Sequence, residues 1–335
     1  MVTARKKDLA MSVTTAGQGE VMTARREGQS GYIQADPLEG PEVLPVPEPT
    51  RDLQHALDDL HLYGCCILLD AISEETVADL AERIDRQYDA EQALGDLRPD
   101  LGPSNKQVLP NLVNKGSHYL DLVEHPNTHA TASYLLGKNW LLSSLTAHLF
   151  VGTTTSSELI HRDQGQIPAS VDFPALCNLF YLLDDFTPDR GSTVIFPGSH
   201  RWPLEHRIQP PAAEQGHQVT APAGSLFVFE GRIWHGTGAN LTGHRRRAVS
   251  VFCSSPWVRQ QENACVSASR DVFDQASPNL RARLGLRTYG TLGNINGTRV
   301  ENQRAAFGST EVGFPEALIG ENAELIPLPA TRKIK

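Results

Sequence analysis

The chain has 335 residues, of which 40% are hydrophobic and 21% are charged, so it can bury a sizeable core and is not disordered as a whole. It has 30 basic and 39 acidic residues, and the net charge of −9 argues against a nucleic-acid or anionic-membrane partner. No apolar run approaches the roughly 20 residues that span a bilayer. The first residues lack the apolar stretch of a secretory signal. The five cysteines include no C-x-x-C pair. We therefore expect a reduced, soluble, cytoplasmic protein with two ordinary domains or one large β-rich domain.

The N-terminal stretch is polar and rich in proline and glycine. Residues 1–45 contain few apolar side chains, and clusters such as Pro37-Leu-Glu-Gly-Pro41 interrupt any regular pattern. A segment of this composition cannot offset the entropy that is lost when it becomes ordered. We therefore predict a disordered N-terminal arm over residues 1–45, followed by a single domain over residues 46–335.

Helical patterns come next in the chain. Thr50 is a candidate N-cap for a helix over residues 51–62, and Ser73 opens a second helix with an apolar face. Between them, residues 64–69 form an apolar run of strand length. A third helix, over residues 127–136, is followed by a glycine that suits a C-cap. These elements predict an N-terminal helical layer.

From about residue 140 the pattern changes to short apolar runs with period two, separated by turn signals rich in Pro, Gly and Asn. The strand candidates are residues 144–151, 158–161, 176–183, 193–196, 225–230, 233–237 and 246–253. Many short strands at regular spacing predict a sandwich, a jelly roll or a barrel. The expected fold class is therefore mainly β with added helices (α+β), with a β-core over about residues 140–256.

Two histidines and an aspartate stand out among the strand candidates. His161 and Asp163 lie two positions apart, so on an extended segment both side chains project to one face. His235 directly follows Trp234 at the end of another apolar run. Two histidines and one carboxylate are the facial ligand set of non-haem Fe(II) enzymes, and this set leaves coordination positions open. Either histidine taken alone is more simply explained as a structural or surface residue.

An arginine follows His235 at a spacing that suits a hairpin. Arg246 lies 11 residues after His235, beyond a predicted turn at residues 240–243, so a hairpin would return its guanidinium to the metal pocket on the neighbouring strand. A buried arginine there could bind a dicarboxylate co-substrate through two hydrogen bonds. Thr237 faces the same side as His235 and could donate its hydroxyl to that carboxylate. Alternatively, residues 245–247 are a solvated basic cluster, although alternation places the middle arginine on the face opposite its neighbours.

Together these motifs resemble one enzyme family. The ordered set is His-Arg-Asp-Gln at residues 161–164, Gly-Ser-Thr-Val-Ile-Phe-Pro-Gly-Ser-His at 191–200 and Trp-His-Gly-Thr-Gly-Ala-Asn at 234–240, followed by Arg246. It is similar to the phytanoyl-CoA dioxygenase family of Fe(II)- and 2-oxoglutarate-dependent oxygenases. Residues 113–126 also resemble the region that precedes the core of that family, and the resemblance covers about residues 105–255.

The resemblance implies a fold and a ligand set. The fold is a double-stranded β-helix, which is a cupin-like jelly roll. Iron is expected to bind to His161, Asp163 and His235, and the distal carboxylate of 2-oxoglutarate is expected to bind to Arg246 and Thr237.

The resemblance also implies a reaction. The expected enzyme oxidises, and in the simplest case hydroxylates, a C–H bond of a small organic molecule with O2, releases succinate and CO2, and has ascorbate as an activator. By analogy with bacterial and fungal relatives, a natural-product intermediate is the favoured substrate. Asp163 stands where related halogenases have a small residue, which disfavours halogenation. Thr193 resembles a position that contacts 2-oxoglutarate in some relatives, although an ordinary strand residue explains it nearly as well.

Other functions are compatible with these residues. A jelly roll that binds or senses a ligand without turnover would keep the same pocket, and an acyl-CoA hydroxylase of lipid metabolism would share the iron chemistry, although the negative net charge disfavours a polyanionic CoA. A zinc hydrolase would use the same three ligands but leaves Arg246 unexplained. Gln164 and Gln166 either orient a substrate or lie at the loop surface. The sequence leaves open the substrate, the choice between hydroxylation and desaturation, rearrangement or endoperoxide formation, and whether the protein is a homodimer.

Overall fold

The structure is a computed structural model that describes residues 32, 34–95, 106–154 and 159–293. The strands within these ranges are β1 (Cys65–Leu68), β2 (Lys106–Leu109), β3 (Leu141–Phe150), β4 (Leu176–Leu182), β5 (Thr193–Ile195), β6 (His217–Gln218), β7 (Leu226–Glu230), β8 (His235–Thr237) and β9 (Arg246–Ser254). A larger antiparallel sheet has the order β1–β7–β4–β9–β3–β2, and a smaller one has the order β6–β5–β8.

Both faces of the larger sheet are buried. In β4, Cys177, Leu179 and Tyr181 pack in one apolar cluster together with residues of the helices, whereas Phe180 packs in a second cluster with Ile195 of β5. This alternation follows from the two-residue period of a strand. The second cluster joins the two sheets and is therefore the interior of the jelly roll. The mainly β fold expected from the sequence is confirmed.

The helices cover the face of the larger sheet that is turned away from the smaller one. Within the described ranges they are α1 (Leu53–Tyr63), α2 (Glu74–Leu94), α3 (Ser117–Glu124), α4 (Pro126–Leu136), α5 (Ala264–Ser267), α6 (Arg270–Gln275) and α7 (Pro278–Arg281). Leu80 of α2, Leu122 of α3 and Leu135 of α4 share the first apolar cluster with the sheet. No helix of the described residues is long and apolar enough to cross a membrane.

One helix cap differs from the prediction. Asp52 rather than Thr50 caps α1, because the Asp52 side chain accepts a hydrogen bond from the backbone N–H of His55. The Thr50 hydroxyl accepts from the backbone N–H of Asp52, one step before the helix. Ser73 caps α2 as predicted and accepts from the backbone N–H of Thr76. Threonine and aspartate both offer a side-chain oxygen that suits an N-cap, and the two residues lie only two positions apart, so the prediction of Thr50 was wrong by two residues.

The predicted N-terminal arm is too long. Residues 34–45 lie on the β-core: the backbone N–H of Leu44 donates to the carbonyl of Pro197 at 2.9 Å, and the indole N–H of Trp202 donates to the carbonyl of Glu42 at 2.6 Å. Backbone hydrogen bonds can order a segment that has few apolar side chains, and composition does not reveal them. Apart from residue 32, the rest of the predicted arm lies outside the described residues.

Three strands also differ from the predicted set. The observed strands β2 and β6 have no counterpart among the predicted ones. The predicted strand over residues 158–161 reduces, in its described part, to a single bridge between His161 and His235. After the β-core, α6 and α7 are separate helices, because Pro278 disfavours a helical conformation in Ser277 and begins α7.

A buried ion pair stabilises the end of β7. Arg232 donates to Glu230 Oε1 at 2.9 Å and to Oε2 at 2.6 Å, and its other N–H groups reach the Asp172 carboxylate and the side chain of Gln34. Glu230 is 0% exposed and Arg232 is 2% exposed. Both charges are removed from water. Deleting one partner therefore leaves the other as a buried charge without its nearest opposite charge.

We expect Glu230→Ala to lower the free energy of unfolding by about 3–5 kcal/mol, as measured by chemical denaturation. The control is Arg51→Ala, which breaks an ion pair with Asp70 whose side chains are 71% and 68% exposed. A pair in water contributes about 0–1 kcal/mol. Equal effects of the two substitutions would show that burial of the Glu230–Arg232 pair does not matter.

Candidate metal centre

The three residues of the predicted triad lie together. The backbone N–H groups of His161 and His235 donate to each other's carbonyls at 2.8 and 2.9 Å. Asp163 Oδ1 is 3.7 Å from Nε2 of His161 and 3.6 Å from Nε2 of His235. One candidate ligand atom from each residue lies within 4.8 Å of the other two. The ring of His235 is 4.5 Å from that of Phe229, so the group borders the interior of the jelly roll.

Asp163 reaches this position from a turn rather than from a strand. It is the first residue of a short 3-10 turn over residues 163–166. Gln164, which is 2% exposed, supports the turn by accepting a hydrogen bond from the backbone N–H of Ala175 at 2.8 Å. Gln164 is therefore a structural residue of the loop, whereas Gln166 is exposed.

Backbone carbonyls orient both imidazole rings. Nδ1 of His161 lies 3.1 Å from the carbonyl oxygen of Leu159, and Nδ1 of His235 lies 3.1 Å from that of Ile233. A carbonyl oxygen only accepts, so we assign the ring proton to Nδ1 in both, and each Nε2 turns its lone pair towards Asp163. Burial lowers the pKa of His235 to about 4, which keeps this ring neutral at pH 7.

This donor set fits a divalent transition-metal ion. Two imidazole nitrogens and one carboxylate oxygen converge, and within the described ranges no fourth His, Cys, Asp or Glu joins the group. Such a set leaves coordination positions for small ligands and is typical of non-haem Fe(II). The side chain of His161 is 50% exposed and that of Asp163 is 13% exposed, so solvent and solutes can reach the group.

Arg246 is buried in the same interior. It is 2% exposed, and its Nε and Nη2 donate to the carbonyl of Gly191. The guanidinium carbon lies 4.3 Å from the ring centroid of Phe186 and 5.0 Å from that of Phe150. A cation held between aromatic rings in a medium of low dielectric interacts strongly with an anionic ligand.

Thr193 and Thr237 lie next to the triad on the smaller sheet. They are directly opposite each other on β5 and β8 and therefore share a face, and both are buried. His235 lies two residues before Thr237 on the same strand and shares that face. Gly191, which accepts from Arg246, precedes Thr193 by two residues. The structure thus brings all three residues predicted for 2-oxoglutarate to the side of His235, and their role as ligands stays a prediction.

The connection that brings Arg246 to the site differs from the predicted hairpin. β8 and β9 belong to different sheets, so residues 238–245 cross between the sheets and do not form a hairpin. Arg246 therefore approaches the smaller sheet from across the interior, as the alternation of strands between two sheets in a jelly roll requires. The predicted alternation of side chains is confirmed, because Arg245 and Arg247 both bond to Asp85 of α2, at 2.8 and 3.0 Å.

Two polar residues near the site were not singled out by their sequence pattern. Lys106 on β2 is directly opposite Phe150, which is directly opposite Arg246, so all three share the interior face. Lys106 is 9% exposed, and its positive charge adds to the effect of burial in lowering the pKa of His235. The other residue is Asn178, in the middle of β4. A single polar residue within a short apolar run was the only signal for it.

The family comparison covers this site. Residues 60–248 match the family model for phytanoyl-CoA dioxygenase (PhyH), and this range is more than half of the chain. The chain belongs to the phytanoyl-CoA dioxygenase family. The resemblance inferred from the motifs is therefore confirmed, and the protein is an enzyme of the dioxygenase class.

Curated and solved proteins extend this likeness. Dioxygenase af480 of Aspergillus fumigatus is 28% identical over 267 residues, which are 75% of this chain and 85% of that protein. Dioxygenase olcK of Penicillium canescens is 25% identical over 275 residues, which are 77% of this chain and 88% of that protein. The crystal structure of HygX from Streptomyces hygroscopicus, with nickel and 2-oxoglutarate bound, is 14% identical, has a TM-score of 0.51 and covers 62% of this chain and 89% of HygX. The similarity to HygX agrees with the jelly-roll fold of this chain.

Proposed function

We propose that this protein is an Fe(II)- and 2-oxoglutarate-dependent dioxygenase that hydroxylates a C–H bond of a small organic molecule and releases succinate and CO2. One observation carries the proposal: Nε2 of His161, Nε2 of His235 and Asp163 Oδ1 converge while both ring Nδ1 atoms lie at backbone carbonyls. Two imidazole nitrogens and one carboxylate oxygen that converge in this way suit this class of metal centre. Membership of the phytanoyl-CoA dioxygenase family supports the same reading.

The side chains of the site have separate tasks in the proposed reaction. Bound Fe(II), together with 2-oxoglutarate and O2, would supply the oxidising chemistry. The triad of His161, Asp163 and His235 would hold the ion from one side and leave the other side open. Arg246 would pair with the distal carboxylate of 2-oxoglutarate through a charge-assisted contact, supported by the hydroxyl of Thr237. The apolar interior would exclude water and strengthen these contacts.

An exposed aromatic pair supports an organic substrate with apolar surface. Phe173 and Trp257 are 50% and 44% exposed, and their rings meet edge to face at 6.1 Å. The pair lies near the triad, because the side chain of Gln164 donates to the carbonyl of Phe173 at 3.2 Å and Gln164 follows Asp163 directly. Aromatic surface beside the metal loop favours a neutral organic molecule over a highly charged one. This aromatic surface is compatible with the natural-product intermediate that the family resemblance favours.

The purified protein, loaded with Fe(II) and supplied with 2-oxoglutarate, ascorbate and O2, is expected to form succinate slowly even without its substrate. The physical reason is that Fe(II), 2-oxoglutarate and O2 together would supply the decarboxylation chemistry, so the organic substrate is not required for it. Succinate is measured by chromatography against metal-free protein and protein loaded with Zn(II). A protein that binds Fe(II) but forms no succinate above these controls would favour a ligand-binding module without turnover.

A further inference from the structure

We propose that Asn178 and Ser250 are positioning residues for the Asp163 carboxylate, holding one of its oxygens so that the other faces the metal. The inference rests on the proposed function, because Asp163 is a ligand only if the triad binds an ion. It adds two residues that no family motif in this chain contains.

The contacts form a chain of three side chains. Nδ2 of Asn178 donates to Oδ2 of Asp163 at 3.3 Å. The other oxygen of the same carboxylate, Oδ1, is the one that faces Nε2 of both triad histidines. The hydroxyl of Ser250 donates to Oδ1 of Asn178 at 2.6 Å, which defines which end of the amide points to Asp163.

The position of these residues in the sheet is unusual for polar side chains. Asn178 lies in a strand whose seven residues are all buried, and it is 9% exposed. It precedes Phe180 by two residues and so shares the interior face, and Ser250 is directly opposite Phe180 on β9. Burying an amide costs free energy unless it is hydrogen-bonded, and an apolar residue would have filled this place without that requirement. The amide is bonded at both ends, and one end meets the candidate ligand.

The arrangement has a chemical consequence for the carboxylate. A carboxylate can bind an ion through one oxygen or through both, and it can rotate between these modes unless a hydrogen bond holds it. The Asn178 N–H occupies Oδ2 and leaves Oδ1 on the side of the two histidines, so Asp163 would contribute one ligand atom to a bound ion. Ser250 would act indirectly, because its hydrogen bond keeps the side-chain amide of Asn178 from rotating.

The test is a titration of the metal-free protein with Co(II) alone at fixed pH, followed by the absorption of the bound ion, with no 2-oxoglutarate and no turnover. We expect Asn178→Ala to weaken Co(II) binding about 10- to 100-fold and to change the absorption spectrum, because outer-shell partners typically contribute that much. Ser250→Ala should shift both readouts in the same direction by a smaller amount.

The control is Tyr181→Phe, on the same strand but on the other face. This change removes a buried hydrogen bond of 2.8 Å between the Tyr181 hydroxyl and Thr128 of α4. It should lower the melting temperature and leave the dissociation constant and the spectrum of Co(II) unchanged. A purely structural role for Asn178 would give the same result as this control.

The outcomes separate the two proposals. If the wild-type protein does not bind Co(II), the proposed function fails and the positioning role fails with it. If the wild type binds Co(II) and a folded Asn178→Ala protein binds it with the same affinity and spectrum, only the positioning role is overturned. If Asn178→Ala does not fold, Ser250→Ala decides: a shifted Co(II) affinity supports the role, and an unchanged one overturns it.

Discussion

Replacing His235 with alanine is expected to abolish metal binding and turnover together. The triad offers one ligand atom from each of three residues, and no other His, Cys, Asp or Glu of the described chain joins it. The affinity should therefore fall by more than the roughly 10- to 100-fold that is typical of losing an outer-shell partner. The measurement is the Co(II) titration together with the iron content of the purified protein. Asp163→Ala should behave in the same way.

His217→Ala is the control for this prediction. His217 is an exposed histidine on β6, in the same small sheet as His235, and it does not belong to the triad. Its removal should leave the iron content and the rate of succinate formation unchanged. Thermal unfolding distinguishes a lost ligand from a lost fold. A well-folded His235→Ala protein that keeps its iron and its activity would contradict the assignment of the triad.

Replacing Arg246 with alanine is expected to raise the KM for 2-oxoglutarate about 10- to 100-fold, because a charge-assisted pair contributes roughly 1.5–3 kcal/mol. Co(II) binding in the absence of 2-oxoglutarate should be retained, since Arg246 is not part of the ligand group. Arg246→Lys should restore only part of the affinity, because a point charge does not reproduce the planar guanidinium. The measurement is succinate formation as a function of the 2-oxoglutarate concentration.

Arg245→Ala is the matched control in the neighbouring position. Arg245 contacts Asp85 at 2.8 Å and Asp89 at 3.6 Å on the side of α2, and its side chain is 34% exposed. Its loss should leave the KM for 2-oxoglutarate unchanged. Arg247 is less suitable as a control, because its bonds to Asp184 and Asp85 also stabilise the fold. A large change in KM for Arg245→Ala and none for Arg246→Ala would show that 2-oxoglutarate binds elsewhere.

The local part of the site was predictable from the sequence. His161 and Asp163 are two residues apart, and the short distance along the chain limits how far their side chains can separate. The same holds for Thr237 and His235, which share one face of a short strand. Alternation at the start of β9 likewise places Arg246 on the face opposite Arg247 and the preceding Arg245, and this holds whichever strands β9 pairs with.

The contacts between distant segments were not predictable. The hydrogen bond between Ser250 and Asn178 joins residues 72 positions apart, and the periodicity of each strand says nothing about which strands pair or in which register. For the same reason the sequence predicts a hairpin at residues 238–245, whereas in the structure this segment crosses between the two sheets.

By itself the sequence determined the β-rich composition of the core, the ordered motifs of the family and the residue types of the triad, because these depend on local period and on residue chemistry. Only the tertiary structure decided that residues 34–45 pack on the core, that Lys106 faces the interior and that an amide meets the Asp163 carboxylate. These features depend on which surfaces the domain buries against each other. The packing of these surfaces depends on the free energy of the whole chain, so a short segment of the sequence does not predict it.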